Sequence, residues 1–234
     1  MNDKPVAFVS GVGPGTGAAI VRRFSREGFR VFAAARSTAI ISGLENELEN
    51  VHAVVCDVSE SAEVTKIARG VIASYGVPQV LVHNAVGGAF GNFLTIEPII
   101  LERNFRTNVL GLLHLSREFA PGMIERGTGT ILVTGNTSSI RGKANFAGFA
   151  PTKAAQRVLA ESIARECGPK GLHVAYVLID AVIDVPWARE RYPERPDSFF
   201  IDPAAIADEL WHLHSQPRSA WSFLTELRPF GEKW

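Results

Sequence analysis

The absences in this sequence narrow the field before any motif is read. Lys plus Arg and Asp plus Glu are equal at 24 each, so no net field steers the chain toward nucleic acid or an anionic membrane surface. No apolar run approaches the ~20 residues that a membrane-crossing helix needs. The N-terminus enters a strand-like run, "VAFVSG", with no basic region before it, so no targeting segment is expected and the cytoplasm is the expected location. Cysteine is scarce: Cys56 and Cys167 stand in no metal-ligand or CxxC spacing, which predicts buried, reduced thiols. The six histidines are scattered. His212 and His214 are two apart on a predicted helix and face different sides, which favours surface or interface roles, so no metal site is expected. The four tryptophans, Trp187, Trp211, Trp221 and Trp234, read as core and contact residues, not as a stacking platform for single strands. Repeats, low-complexity tracts and linkers are missing too, so residues 1–234 read as one domain.

What is present is a regular alternation. Hydrophobic residues make up 46% of the chain, enough to cover a sheet on both faces. The short runs "VAFVSG", "RVFAAAR", "VHAVVCDV", "PQVLVHNA", "GTILVTG" and "LHVAYVLID" read as six strands, with "SFLTELRP" as a last one. Between them lie helical stripes: "TGAAIVRRFSREG", a helix ending at Gly76, a long stretch from about Glu102 to Arg126, and "PTKAAQRVLAESIARECG". Near-continuous apolar strands separated by helices predict a parallel sheet. Right-handed crossovers then give an α/β, Rossmann-type doubly wound fold. Asp202 and Pro203 predict a helix start, with Asp at the N-cap and Pro in the first turn. The Pro-rich segment after the sixth strand, about 185–201, reads either as a substrate lid or as a surface connection with a short helix.

The first strand-to-helix turn, "SGVGPGTGAAI", carries Gly11, Gly13, Gly15 and Gly17. Such a loop lets a phosphate approach the backbone, where the helix N-terminus supplies amide donors and a favourable dipole. G-x-G-x-x-G fails here, because the sixth position from Gly11 is Thr16; G-x-x-x-G-x-G fits through Gly11, Gly15 and Gly17.

With that variant the chain resembles the short-chain dehydrogenase/reductase family, in order along nearly its whole length. "CDVSE" is similar to the family's segment after the third strand and implies that Asp57, with Val58 beside it, lies near the adenine. "HNAVGG" resembles N-N-A-G and keeps Asn84 and Ala85. "TNVLG" makes Asn108 the counterpart of a catalytic-relay asparagine, and "TKAA" makes Lys153 the counterpart of the active-site lysine. The resemblance implies a nicotinamide cofactor contacted by Gly11, Gly13, Gly15, Thr16, Gly17, Arg36, Asp57, Val58, Asn84, Ala85 and Lys153. It also implies a small-molecule substrate and a homodimer or homotetramer packed through helices at about 102–126 and 152–167. The second strand ends "AAARS" with no acid and with Arg36 where a cation could pair with a 2′-phosphate, which favours NADP(H) over NAD(H).

The family's catalytic pattern breaks at two positions. Four residues before Lys153, where relatives carry a proton-donating tyrosine, stands Phe149; thirteen before that, in place of a serine, stands Asn136. Phenylalanine has no exchangeable proton and cannot be a general acid. The amide of Asn136 could donate to a developing oxyanion or could simply cap the fifth strand. Asn108 is likewise a relay position or a polar core residue. Tyr192, in the Pro-rich segment, is the most accessible phenol by sequence, whereas Tyr176 reads as core. Lys153, Asn108 and Asn136 are the catalytic candidates. Two functions remain open: an oxidoreductase with a non-standard site acting on a carbonyl or activated double bond, and an inactive NADP(H)-binding sensor or structural protein.

Overall fold

The structure, a computed structural model, describes residues 4–232. The strands β1 (Val6–Ser10), β2 (Arg30–Ala35), β3 (Val51–Val55), β4 (Val80–His83), β5 (Gly129–Asn136), β6 (Leu172–Ile179) and β9 (Leu224–Leu227) form a seven-stranded sheet in the order β3-β2-β1-β4-β5-β6-β9. Every pairing is parallel. The order reverses between β1 and β4, and such a switch point opens a crevice at the carboxyl ends of the strands. The expected Rossmann-type α/β fold is the observed one.

Alternation along each strand serves two cores. In β1, Ala7 and Val9 face one layer while Val6 and Phe8 face the other, because successive side chains point to opposite faces. The first layer holds α1 (Thr16–Arg26), α2 (Thr38–Glu47) and α8 (Pro203–His214), through Phe24, Leu44 and Leu210 among others. The second holds α3 (Ser61–Tyr75), α5 (Gly111–Arg126) and α6 (Ala150–Cys167), through Val71, Phe119 and Ala160. Both cysteines are free and buried. Asp202 caps α8 through a 2.8 Å bond accepted from Ala204 N.

Two expectations need correction. The long helix starts at Pro98, not near Glu102: α4 (Pro98–Phe105) runs into a π-helical turn, Arg106–Leu110, and then into α5. The Pro-rich segment contains α7 (Pro186–Arg191) and a strand, β8 (Phe200–Ile201), paired with β7 (Val182–Ile183). His212 is exposed as expected, but His214 is half-buried. It packs among Phe24, Phe29 and Trp211 with centroids 6.0, 5.6 and 5.4 Å away, and its Nδ1 is 2.9 Å from Thr130 Oγ1. Of the tryptophans, Trp211 and Trp221 are packed, Trp187 is exposed, and Trp234 lies outside the described residues. No described helix is long and apolar enough to cross a membrane.

Burial holds four histidines below the ordinary value of 6.5: His83 at about 3, His214 at about 4, and His52 and His173 in the same direction. The unfolded chain therefore takes up protons near pH 6.5 that the folded chain refuses until much lower pH, so stability holds above that value and declines as pH falls through the window toward 4. We expect a lower urea midpoint at pH 5 than at pH 7.5, with part of the decline removed in His214→Leu. Equal midpoints for the native sequence at the two pH values would refute this account.

Candidate active site

A cavity of about 380 Å³ opens at the switch point. Ten of the residues expected at the cofactor, from Gly11 through Arg36 and Asp57 to Ala85, line it. Gly11 has φ +78°, and a Cβ there would stand 2.2 Å from Ala85 N; only glycine gives both the left-handed turn and the close approach. No side chain caps the N-terminus of α1. Thr16 is buried beside it, and its Oγ1 has no hydrogen-bond partner. A buried hydroxyl without a partner costs about 1–3 kcal/mol, and a phosphate oxygen against this helix end would supply the missing acceptor. Arg36 is exposed at the rim and makes no ion pair or side-chain hydrogen bond among the described residues. Asp57 Oδ1 is used locally, accepting from Ser59 N at 2.9 Å and Ser59 Oγ at 2.8 Å. The donors and shape of this cavity fit a dinucleotide with an added phosphate.

Asn84 connects the glycine loop to the rest of the site. Its Nδ2 donates to Gly11 O at 2.7 Å, and its Oδ1 accepts from Thr134 Oγ1 at 2.8 Å. Thr134 O in turn accepts from Lys153 Nζ at 3.1 Å. Lys153 lies behind the cavity, only 3% exposed, and does not line it. Its second partner is Gln156 Oε1 at 2.5 Å. Burial alone pushes Lys153 down to about 7.

The other candidates have been put to structural use. Asn108 is fully buried in the π-helical turn. Its Oδ1 accepts from Gly87 N, and its Nδ2 donates to Gly87 O and Thr152 Oγ1, all at 2.8 Å. These bonds clamp the segment after β4 to the π-helical turn. Asn136 accepts from Ser138 N at 3.1 Å, as a cap does, while its Nδ2 has no partner among the described residues. Phe149 stands at the N-cap of α6, almost buried, with its ring near Phe90. Tyr192 meets Phe199 edge-on in the Pro-rich segment. Tyr176 is fully buried as expected, yet its hydroxyl lies 3.5 Å from Gln156 Oε1.

Sequence reasoning missed Gln156, Thr134 and His83. Gln156 follows Lys153 by three on one helix and so shares its face, which makes a polar residue at that spacing a usable signal. His83 ends a buried strand and gives no such signal; its Nδ1 is 3.3 Å from Ser10 Oγ and its Nε2 has no partner. A second cavity, about 720 Å³, lies between residues 138–147 and the first turns of α6, with Ser138, Ser139 and Phe146 in its wall. Val185, which follows β7, closes over the glycine loop: a Cβ on Gly15 would stand 2.5 Å from its Cγ1.

Comparison with known proteins agrees with this geometry. The family model described as short chain dehydrogenase matches residues 5–194. Carbonyl reductase [NADPH] 2 of Sus scrofa is 31% identical over 171 residues, 72% of this chain and 68% of that protein. Among solved structures, a short-chain dehydrogenase from Rhodopseudomonas palustris superposes with a TM-score of 0.83 at 32% identity, covering 97% of this chain and 99% of that one. A metagenomic short-chain oxidoreductase in complex with NADP gives 0.84 at 29% identity, over 96% and 97%.

Since Asn84 holds two elements through one amide, Asn84→Ala is expected to cost about 1–3 kcal/mol by leaving buried partners unmet. Urea unfolding measures it, and an unchanged midpoint would show that water replaces the amide without loss.

Proposed function

The chain belongs to the short-chain dehydrogenase family, and from that premise we propose that it is an NADP(H)-dependent oxidoreductase with a non-standard active site. The observation that carries this reading is the 380 Å³ cavity, where the uncapped α1 N-terminus, the unpartnered Thr16 hydroxyl and the free Arg36 converge. NADPH-dependent and NADP-bound relatives support the cofactor assignment. In this reading Arg36 pairs with the 2′-phosphate, the glycine loop and Thr16 hold the pyrophosphate, Asp57 and Val58 bound the adenine, and Asn84, Ala85 and Lys153 support the nicotinamide end. The cofactor supplies the hydride.

The substrate is a small molecule with a carbonyl or an activated double bond. The unpartnered Nδ2 of Asn136 donates to the oxygen that gains charge, as an oxyanion donor does. Phe149 gives the site a wall and no proton, so the rate lacks the roughly 10²–10⁴-fold that a placed general acid contributes. Residues 185–201, with Val185 over Gly15, act as the lid of the cleft. Exposed Phe93, Leu94, Ile99 and Val158 support self-association, which would cover them. A second reading, a cofactor-binding sensor with no turnover, is favoured by the commitment of the Asn108 side chain to Gly87 and Thr152.

Fluorescence titration with NADPH and NADH tests the premise. NADPH is expected to bind more tightly, and Arg36→Ala is expected to weaken NADPH by roughly tenfold or more, the scale of one charge-assisted phosphate contact, with little effect on NADH. Absence of binding by either cofactor would overturn both readings. Phe149→Tyr is expected to raise NADPH-dependent reduction of small ketones by roughly 10²-fold or more. No gain in a variant that still binds NADPH would show that the substrate side has been rebuilt for something other than ketones.

A further inference from the structure

Behind the cofactor cavity lies a polar cluster with no carboxylate in it. Lys153 Nζ meets two acceptors, Thr134 O and Gln156 Oε1. A neutral amine has two N–H bonds to give and an ammonium has three, and the third finds no acceptor among the described residues. Gln156 is held in turn. Its Nε2 donates at 2.9 Å to Asn108 O, in the π-helical turn, where a widened ladder admits a side-chain donor. On its other side the Tyr176 hydroxyl approaches the same Oε1. That ring passes so close to β5 that a Cβ on residue 135 would stand 2.1 Å from it, and residue 135 is glycine. Asn108, Gln156 and Tyr176 are all 0% exposed. A buried charge without an opposite charge is costly, and this cluster offers the lysine only neutral oxygens.

We propose that Gln156 is a positioning residue that holds the buried Lys153 amine without supplying a counter-charge, so that the lysine stays uncharged in the free protein, and that the amine takes up a proton when NADP(H) is seated. The proposal rests on the cofactor reading above. The incoming cofactor brings the hydroxyl oxygens and negative charge that the cluster lacks, so the charged lysine is favoured only in the complex. Burial pushing Lys153 down to about 7 agrees with this. The titratable groups facing the cluster do not change charge between pH 7 and 9: His83 on β4 is held at about 3 and Tyr176 on β6 at about 12. The Arg157 guanidinium on α6 also acts on Tyr176.

Two measurements test it. The first needs no cofactor: ¹³Cε NMR titration of the lysines, with Lys153 assigned by its loss in Lys153→Met. One lysine titrating near 7 in the native chain, moved above 9 in Gln156→Glu, is expected; Lys153 titrating in the ordinary range of about 10.4 would overturn the proposal. The second is NADPH affinity between pH 7 and 9, above the range where a phosphate titrates (second pKa about 6). Affinity is expected to weaken by roughly tenfold per pH unit, the slope of one proton taken up. That slope is expected to vanish in Lys153→Met and in Gln156→Glu, whose carboxylate keeps the lysine charged beforehand. A flat profile in the native chain, or a slope that persists in Gln156→Glu, would overturn the proposal. A lysine titrating near 7 in a chain that binds no NADPH at any pH would instead overturn the cofactor reading, and the coupling with it.

Discussion

The site hangs on one amide. Asn84 joins the carbonyl of Gly11 to the hydroxyl of Thr134, and Thr134 passes the connection to Lys153 through its own carbonyl. Four elements that are far apart in sequence, β1, β4, β5 and α6, are thereby fixed relative to one another at the carboxyl end of the sheet. An asparagine suits the position because it offers a donor and an acceptor from one rigid plane. The chain of bonds continues through Gln156 to the π-helical turn. A shift of the glycine loop is thus felt at the lysine, with no side chain in between that could rotate freely.

The fold was legible because its signals are redundant. Strands buried on both faces read as unbroken apolar runs, and each is followed by a turn and a helix, so a misjudged boundary leaves the topology unchanged. α2 escaped because only Ile41 and Leu44 of its ten residues are buried, too few to make a stripe. The rim of the cofactor cavity was legible because glycines and Asp57 sit in fixed places relative to strand ends. The interior of the site was less so. Whether Asn108 clamps a loop or relays a proton depends on what stands opposite it, and Gly87 and Thr152 are twenty-one and forty-four residues away. His214 was misplaced for a similar reason. Its neighbours Phe24 and Phe29 come from the other end of the chain.

Phe149 stands one helical turn before Lys153, at the N-cap of α6. A tyrosine there would be influenced by a lysine one helical turn away, and removing the phenol removes the need for a permanently charged neighbour. What remains is a lysine among neutral oxygens, a buried phenol below it and an aromatic wall above. In the proposed reading, such a site forgoes proton donation from one residue and keeps the residues that would seat a nicotinamide, so that the retained and altered residues follow the border between cofactor and substrate.

The packing of α8 against α1 has a consequence for how the chain is made. Arg23 of α1 pairs with Asp208 of α8, and Phe24 meets Trp211 edge-on at 5.5 Å. β1 also lies in the middle of the sheet and needs β4 beside it. The glycine loop is therefore synthesised well before it gains its full support, since one face of its helix waits for residues 203–214. Contacts this distant slow folding and leave apolar surface uncovered meanwhile. Until α8 emerges, that face of α1 stays uncovered, and a growing chain carries its apolar stripe in the open.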